Sequence, residues 1–347
     1  MNEITAFINI VLFIMHINTN LTKKVLSWYD NNKRSLPWRV GKNSPKKLYY
    51  RLLSEFMLQQ TQVKTVIPYF KNFTKKFKTL KSLSKSKEVE ILKLWEGLGY
   101  YRRAKNLLAS AKILVKEHNS KLPENLEEVK RLPGVGEYTA NALLGLIYNQ
   151  PRIAIDGNVR RIFARNLNRE ERKINFEKLI FVNKKNFFNT NRSSDFVEAL
   201  MEFGALICKP KEPKCVRCCL KKTCKYFKSS NKIKTTSKKL IKNKNYDIFC
   251  YLNKNKQIAL TKKNQISFLK NFYLPTIKET NYLSSNKNWK FLKNYKNSIS
   301  NLKLNINLYY KFSKKIPPKY DWHYLNLNKE FIPTFTKKIF KQVETLF

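Results

Sequence analysis

Apolar residues recur every three to four positions through the first two thirds of the chain and every second position in parts of the last third. Between Thr139 and Tyr148, Ala140, Leu143, Leu144 and Ile147 fall at i, i+3, i+4 and i+7, the spacing that gives a helix one buried face. Arg51 to Val63 behaves the same way, with Leu52, Phe56 and Val63 on one stripe. This pattern runs from Leu21 to about Tyr226, its segments separated by short loops marked by Pro and Gly. From Lys228 to Asn245, Lys, Ser, Thr and Asn replace most large apolar residues, which predicts a solvated basic linker. Beyond it, Tyr246–Leu252 and Gln257–Thr261 read as strands. Leu302, Leu304, Ile306 and Leu308 alternate with polar residues, as in a half-buried strand. Ile339, Phe340, Val343, Leu346 and Phe347 return to helical spacing. The expected architecture is a mainly α domain over 21–227, a linker over 228–245 and a smaller α+β domain over 246–347, with no internal repeat.

Composition narrows the partners. The 347 residues are 42% hydrophobic, enough for real cores, so wholesale disorder is excluded. Lys and Arg number 70 against 24 Asp and Glu, a net charge of +46 that favours polyanions, nucleic acid first. Lys, Asn, Ile, Phe and Tyr are all abundant, as an AT-rich coding bias gives, so any single Lys reads as a solvated surface residue. The apolar run Ile4–Ile17 is too short to span a bilayer and lacks the basic flank of a signal peptide. Met15 lies inside it, and a start at Met15 explains the run more simply than a membrane anchor does.

Six cysteines are few for this length, and five of them fall between Cys208 and Cys224. Cys208, Cys215, Cys218 and Cys224 can close around one compact centre in a reducing compartment, either zinc or an iron–sulfur cluster. Cys219 sits beside Cys218 at a spacing wrong by one, and Cys250 reads as a buried strand residue. Lys209, Lys211, Lys214 and Arg217 stud the same loop. Leu132-Pro133-Gly134-Val135-Gly136 precedes the amphipathic helix from Thr139. It is either an ordinary tight turn or a hairpin whose Gly134, Val135 and Gly136 bring backbone N–H groups to a DNA phosphate. Two carboxylates also stand out. Glu55 shares a helix face with Leu52 and Gln59; desolvation there raises a carboxyl's pKa, the condition of a general acid, whereas a place at the stripe's edge would make it a plain surface residue. Asp156 is placed to cap the helix that follows, and a cap can also face a developing cation.

With these residues stands a set of motifs in a fixed order. They are Leu36-Pro37-Trp38-Arg39, Glu55-Phe56-Met57-Leu58-Gln59-Gln60-Thr61-Gln62-Val63, Leu94-Trp95-Glu96-Gly97-Leu98-Gly99-Tyr100-Tyr101, Leu132-Pro133-Gly134-Val135-Gly136-Glu137-Tyr138-Thr139-Ala140 and Asp156-Gly157-Asn158-Val159. The chain from about Leu21 to Phe227 resembles the MutY family of adenine DNA glycosylases, within the endonuclease III, helix-hairpin-helix superfamily. The resemblance implies a helix-hairpin-helix glycosylase domain, with the hairpin at about 125–148 and a [4Fe–4S] loop at 208–224 whose spacing matches the superfamily's. It implies removal of adenine opposite 8-oxoguanine, and opposite guanine, from double-stranded DNA by a nucleoid-associated cytoplasmic monomer. Base release of this kind takes the adenine out of the stack first.

By the same carry-over, Glu55 is the acid that protonates adenine and Asp156 stabilises the oxocarbenium-like sugar. Tyr138 occupies the place where bifunctional relatives carry a Schiff-base Lys, so no β-lyase nucleophile is expected. Trp38, Arg39, Leu58 and Glu198 would line the adenine pocket. Gln59, Gln60 and Thr61 would face the 8-oxoguanine side, and Tyr100 would wedge into the duplex. The C-terminal domain resembles the family's Nudix-like recognition module more weakly. Its reading loop shows Ile299-Ser300-Asn301 in place of Phe-Ser-His, which retains Ser300 alone, and no Nudix hydrolase box is present. Two rival readings are an endonuclease III-like glycosylase/lyase, opposed by Tyr138 and the Gln59–Gln60 run, and a non-catalytic zinc-bearing DNA-binding protein.

Overall fold

The computed structural model describes residues 17, 20–233, 242–264, 266, 269–280, 288–299, 302–326 and 330–347. The chain divides into two compact units, one formed by the residues up to Ser86 with Arg102–Ser237, the other by Lys87–Tyr101 with Lys238–Phe347. In chain order the first helices are α1 (Leu21–Asn32), α2 (Lys47–Leu58), α3 (Val63–Lys76) and α4 (Leu80–Ser84), all in the first unit, then α5 (Glu88–Leu94) in the second. The first unit continues with α6 (Arg102–Glu117), α7 (Leu126–Lys130), α8 (Glu137–Tyr148), α9 (Gly157–Leu167), α10 (Phe176–Val182), α11 (Lys184–Phe187), α12 (Ser193–Leu206) and α13 (Lys225–Lys228). Two packing arrangements in this unit carry the site. Helix α2 lies against α3, α6 and α8, and α12 lies against α1, α8 and α9. Leu52, Phe56, Phe70, Leu107 and Leu143 are fully buried, as are Val25, Phe163, Phe196 and Leu200 in the core that α1, α9 and α12 share. Ile17 is buried in that core too, and its N–H donates to Asn183 Oδ1 at 2.9 Å.

The stripe read over Arg51–Val63 is broken in the structure. Helix α2 ends at Leu58, and Val63 opens α3 instead. Gln60 adopts a left-handed φ of +60°. The guanidinium of Arg103, in α6, takes the carbonyls of Phe56 at 3.1 Å and Met57 at 2.8 Å, and that of Gln59. The end of α2 is thus capped by a side chain from another helix, which an apolar periodicity does not report. Gln59 is the C-cap residue and so lies outside the helix whose face it was expected to share.

The second unit holds a mixed sheet of β1 (Lys242–Leu252), β2 (Gln257–Leu260), β3 (Thr276–Thr280), β4 (Lys290–Ile299), β5 (Leu302–Phe312) and β6 (Asp321–Tyr324), followed by α14 (Thr334–Val343). The strand order is β4-β5-β1-β2-β6, with β3 also pairing β1. The β1–β5 pair is parallel and the others are antiparallel. Ile248, Leu252, Leu304, Ile306 and Leu308 are buried, with Ile339 and Val343 of α14. Tyr101 joins this unit: its ring lies 4.9 Å from that of Phe331 and 5.4 Å from that of Phe272, and its hydroxyl meets Thr334 Oγ1 at 2.9 Å. The region read as linker is shorter than expected. Lys242 pairs with Leu302 and Asn245 with Asn305 and Thr280, so residues 242–245 are strand, because β5 and β3 flank them with backbone partners. At its other end Asn168 Nδ2 donates to the Asn231 carbonyl at 3.0 Å.

Among the described residues no helix is long and apolar enough to cross a membrane. Ile4–Ile14, Met15, Ser300 and Asn301 lie outside the described residues.

The hairpin between α7 and α8 yields a direct test. Gly134 has φ +79°, and a Cβ there would meet Asn106 Nδ2 at 2.6 Å, Asn106 Cβ at 2.8 Å and Phe56 Cε1 at 2.9 Å. A Cβ on Gly136 meets nothing within 4 Å. Gly134→Ala should cost about 1–3 kcal/mol in denaturant unfolding, by overpacking and backbone strain together. Gly136→Ala should cost well under that. Equal midpoints for the two variants would contradict this packing.

Candidate active site

Glu55 lies on the buried face of α2, between Leu52 and Phe56, and is 6% exposed. Burial pushes its carboxyl up to about 7, with Asp156 and Glu198 acting in the same direction and Arg51 and the Tyr138 hydroxyl against it. Tyr138, in the first turn of α8, donates to Glu55 Oε2 at 3.4 Å. Burial first, and Glu55 second, hold that phenol well above the usual range, so it stays a donor. Asp156 caps α9: its Oδ1 accepts from the Val159 N–H at 2.7 Å and its Oδ2 from Asn158 Nδ2 at 2.7 Å. Burial raises the Asp156 carboxyl while these bonds pull it down. Capping and the electrostatic coupling to Glu55 and Tyr138 therefore belong to the same carboxylate.

Beside this cluster runs a buried chain of opposite charges. Arg39 Nε meets Glu198 Oε2 at 3.1 Å, and Arg39 Nη2 meets Glu202 Oε2 at 3.0 Å. Arg34 Nε holds Glu202 Oε1 at 2.6 Å, Arg51 Nη1 pairs with Glu198 Oε1, and the Tyr29 hydroxyl donates to Glu198 Oε2. Arg39, Arg51 and Glu198 border a cleft of about 410 Å³. Trp38 and Leu58 do not line it. Trp38 is 3% exposed, with its ring edge-on to Phe70 at 5.4 Å, and Leu58 is the half-buried last residue of α2.

The α2–α3 turn faces the hairpin. Gln59 Nε2 lies 3.4 Å from the Gly134 carbonyl and 3.5 Å from Thr139 Oγ1, Thr61 Oγ1 accepts from Arg103 Nη2 at 3.1 Å, and Gln60 is exposed. Gly134 and Gly136 are exposed, whereas Val135 is buried and its N–H is already given to the Leu132 carbonyl at 3.0 Å. Tyr100 belongs to the second unit. It is 41% exposed, in a turn where Gly97, Gly99 and Tyr100 itself all have positive φ.

Cys208, Cys215, Cys218 and Cys224 border one pocket, together with Arg165, Phe203 and Leu220. Cys219 does not; it lines a separate cleft with Lys24 and Trp28. Among the described residues no three His, Cys, Asp or Glu side chains are arranged to hold a single metal ion. The donor set is four thiols around a shared space. Arg165 Nη1 lies 3.5 Å from Cys208 Sγ, and the Cys224 thiol donates to the Arg165 carbonyl at 3.4 Å. Arg161 and Arg165 tie the start of this loop to α9 through the carbonyls of Cys208 (2.7 Å), Lys209 (2.6 Å) and Pro210 (2.9 Å).

Sequence reasoning missed Arg34, Arg51, Arg103, Arg161, Arg165 and Glu202. A signal for Glu202 was available: it stands four residues after Glu198 in the apolar segment Phe196–Phe203, the same pattern that singles out Glu55.

Residues 53–182 match the model of the HhH-GPD superfamily base excision DNA repair protein. The adenine DNA glycosylase of Buchnera aphidicola subsp. Baizongia pistaciae is 38% identical over 239 residues, covering 69% of this chain and 63% of that protein. That of Buchnera aphidicola subsp. Schizaphis graminum is 40% identical over 220 residues, 62% of each chain. The solved structure of a thermostable thymine-DNA glycosylase superposes with a TM-score of 0.52 at 27% identity, over 60% of this chain and 94% of that one. The chain spans about three fifths of the length of the curated relatives it matches. Over residues 53–182 the chain is thus similar to the HhH-GPD superfamily of base excision DNA repair proteins, and over about three fifths of their length it is similar to the adenine DNA glycosylases.

Proposed function

We propose that this protein is a monofunctional adenine DNA glycosylase that releases adenine mispaired with 8-oxoguanine, and with guanine, from double-stranded DNA. One observation carries the reading: a carboxyl is buried on an apolar helix face 3.4 Å from a phenol hydroxyl, where burial pushes it up to about 7. Glu55 gives its proton to the ring of the extruded adenine as the N9–C1′ bond breaks, and water adds at C1′ of the sugar, its surplus proton passing to the carboxylate left on Glu55. Asp156, held by the N-terminus of α9, is the negative group for the developing cation. Tyr138 positions Glu55 and supplies no amine, so the product is an abasic site with its strand intact. The Arg39–Glu198 pair, which borders the cleft, would receive the base. Gln59, Gln60 and Thr61 would face the opposite strand, with Tyr100 as the wedge, and the exposed Gly134 and Gly136 would hold a phosphate.

Cys208, Cys215, Cys218 and Cys224 are the residues that would hold a [4Fe–4S] cluster, and four thiols sharing one pocket fit that donor set. When bound, the cluster would fix the loop and aim Lys209, Lys211, Lys214 and Arg217 at the phosphates. We assign the C-terminal unit as a Nudix-like recognition module, with Ser300 as its remaining reading residue, and the working form as a monomer in a reducing cytoplasm at the nucleoid.

The test is a panel of duplexes carrying A opposite 8-oxoguanine, G, C and T, incubated with the protein and then split with and without hot alkali. Release from the first two, with strand breakage only after alkali, is expected. Breakage without alkali, or oxidised pyrimidines as the preferred substrate, would favour the glycosylase/lyase reading. A colourless protein with bound zinc and no base release would favour a non-catalytic DNA-binding role.

Cysteine variants separate the two thiol sets. Cys215→Ser should lose the brown cluster absorbance, and Cys219→Ser should keep it. The reverse would remove the four-cysteine assignment.

Glu55 also leaves a mark on stability that needs no DNA. Its folded carboxyl titrates at about 7 against 4.5 when unperturbed, so between those values the folded state binds the extra proton. Stability is then full at low pH and falls as pH rises toward and through 7. Glu55→Gln removes that loss and should be more stable than wild type at pH 8, by at most ~3 kcal/mol, with the gap closing toward pH 5. A gap that stays constant from pH 5 to 8 would contradict the raised carboxyl.

A further inference from the structure

We infer that Arg51 is a positioning residue of the excision site, holding the Glu198 oxygen that Arg39 leaves and standing one helical turn before Glu55. The inference rests on the reading of Glu55 as the acid. Arg51 is 7% exposed on α2, on a helix whose neighbouring residues Leu52, Leu53 and Phe56 are wholly buried. Burying a guanidinium is expensive, and it is compensated only where the cation meets charge directly. Arg51 Nη1 pairs with Glu198 Oε1, while Arg39 and Tyr29 occupy Glu198 Oε2. Arg51 Nε and Glu198 Oε1 have no hydrogen-bond partner among the described residues, so the tie between the two side chains is an ion pair and not an aligned hydrogen bond.

The groups that act on Glu55 come from four elements: Arg51 on α2 itself, Tyr138 on α8, Asp156 at the N-terminus of α9 and Glu198 on α12. Among these four, Arg51 alone is cationic. It fixes the carboxylate that borders the base cleft, and it makes the anion left on Glu55 after proton transfer less costly. Without Arg51, Glu198 keeps its link to Arg39, but Glu55 faces two carboxylates and a phenol with no nearby compensating charge among them. Arg51 thus sets how readily the acid lets its proton go.

The direct measurement is carbon-13 NMR of protein labelled at glutamate carboxyl carbons, with the Glu55 signal assigned by its loss in Glu55→Gln. Wild type, Arg51→Met and Arg51→Lys are titrated, and single-turnover adenine release is followed over the same pH range. The Glu55 midpoint should rise by about one pH unit or more in Arg51→Met and return toward the wild-type value in Arg51→Lys. Base release by Arg51→Met should then have a lower plateau that persists to higher pH. If Arg51→Met does not fold, Arg51→Gln gives the same comparison. A midpoint unchanged in the neutral variant, or moved equally by Lys and Met, would reduce Arg51 to a packing role. Failure of the wild type to release adenine would instead overturn the proposed function, while the midpoints would still decide whether Arg51 governs Glu55.

Discussion

The site depends on one costly arrangement, a carboxyl placed on the buried face of an apolar helix. A side chain like Glu55 is tolerated there because it can remain protonated, and remaining protonated is what an acid catalyst needs near neutral pH. The surrounding helices serve that condition. Helix α8 brings the Tyr138 hydroxyl to 3.4 Å, and the N-terminus of α9 keeps Asp156 bonded to two N–H groups. Gly134 lets the hairpin approach α2 and α6 where any side chain would collide. Packing and chemistry are the same contacts here, so a change made for one is felt by the other.

A second layer is built from charge. The series Arg34–Glu202–Arg39–Glu198–Arg51 threads three cations and two anions through the first unit, and all of its members but Glu202 border one cleft. Each member is largely withdrawn from water apart from Arg34, whose side chain is 35% exposed. Such a series adds little net stability, yet it fixes geometry, because breaking one pair leaves a buried charge uncompensated. On the other flank of α9, Arg161 and Arg165 hold the first residues of the cysteine loop by their carbonyls. The helix that Asp156 caps is therefore the same one that anchors the cysteines.

Much of this was legible in the sequence, for physical reasons. Periodicity located α8 and the strand β5, because burial of one face leaves a repeat of fixed length. Glu55 and Asp156 could be singled out because a polar group in an apolar stripe, or a cap before a helix, is a local event, whereas Tyr138 came only from the resemblance of its motif to the family's. What escaped was set by distant partners. The end of α2 depends on Arg103, more than forty residues away, so the stripe through Val63 looked continuous. Residues 242–245 looked like linker because their composition is polar, and only pairing with β5 and β3 makes them strand. Trp38 reads equally well as a pocket wall or as core, and its ring against Phe70 places it among the buried aromatics. The buried arginines were invisible among 70 basic residues, since nothing local distinguishes an inward guanidinium from a solvated one.

The claim at the centre is that a protonated, desolvated Glu55 drives base release. Its most direct test is the pH dependence of single-turnover adenine release by the wild-type protein from an A·8-oxoguanine duplex, at constant ionic strength because of the +46 charge. A rate that is flat below about 7 and falls roughly tenfold for each further pH unit is predicted. A rate that holds level to pH 9, or that rises through 7, would contradict acid catalysis by Glu55.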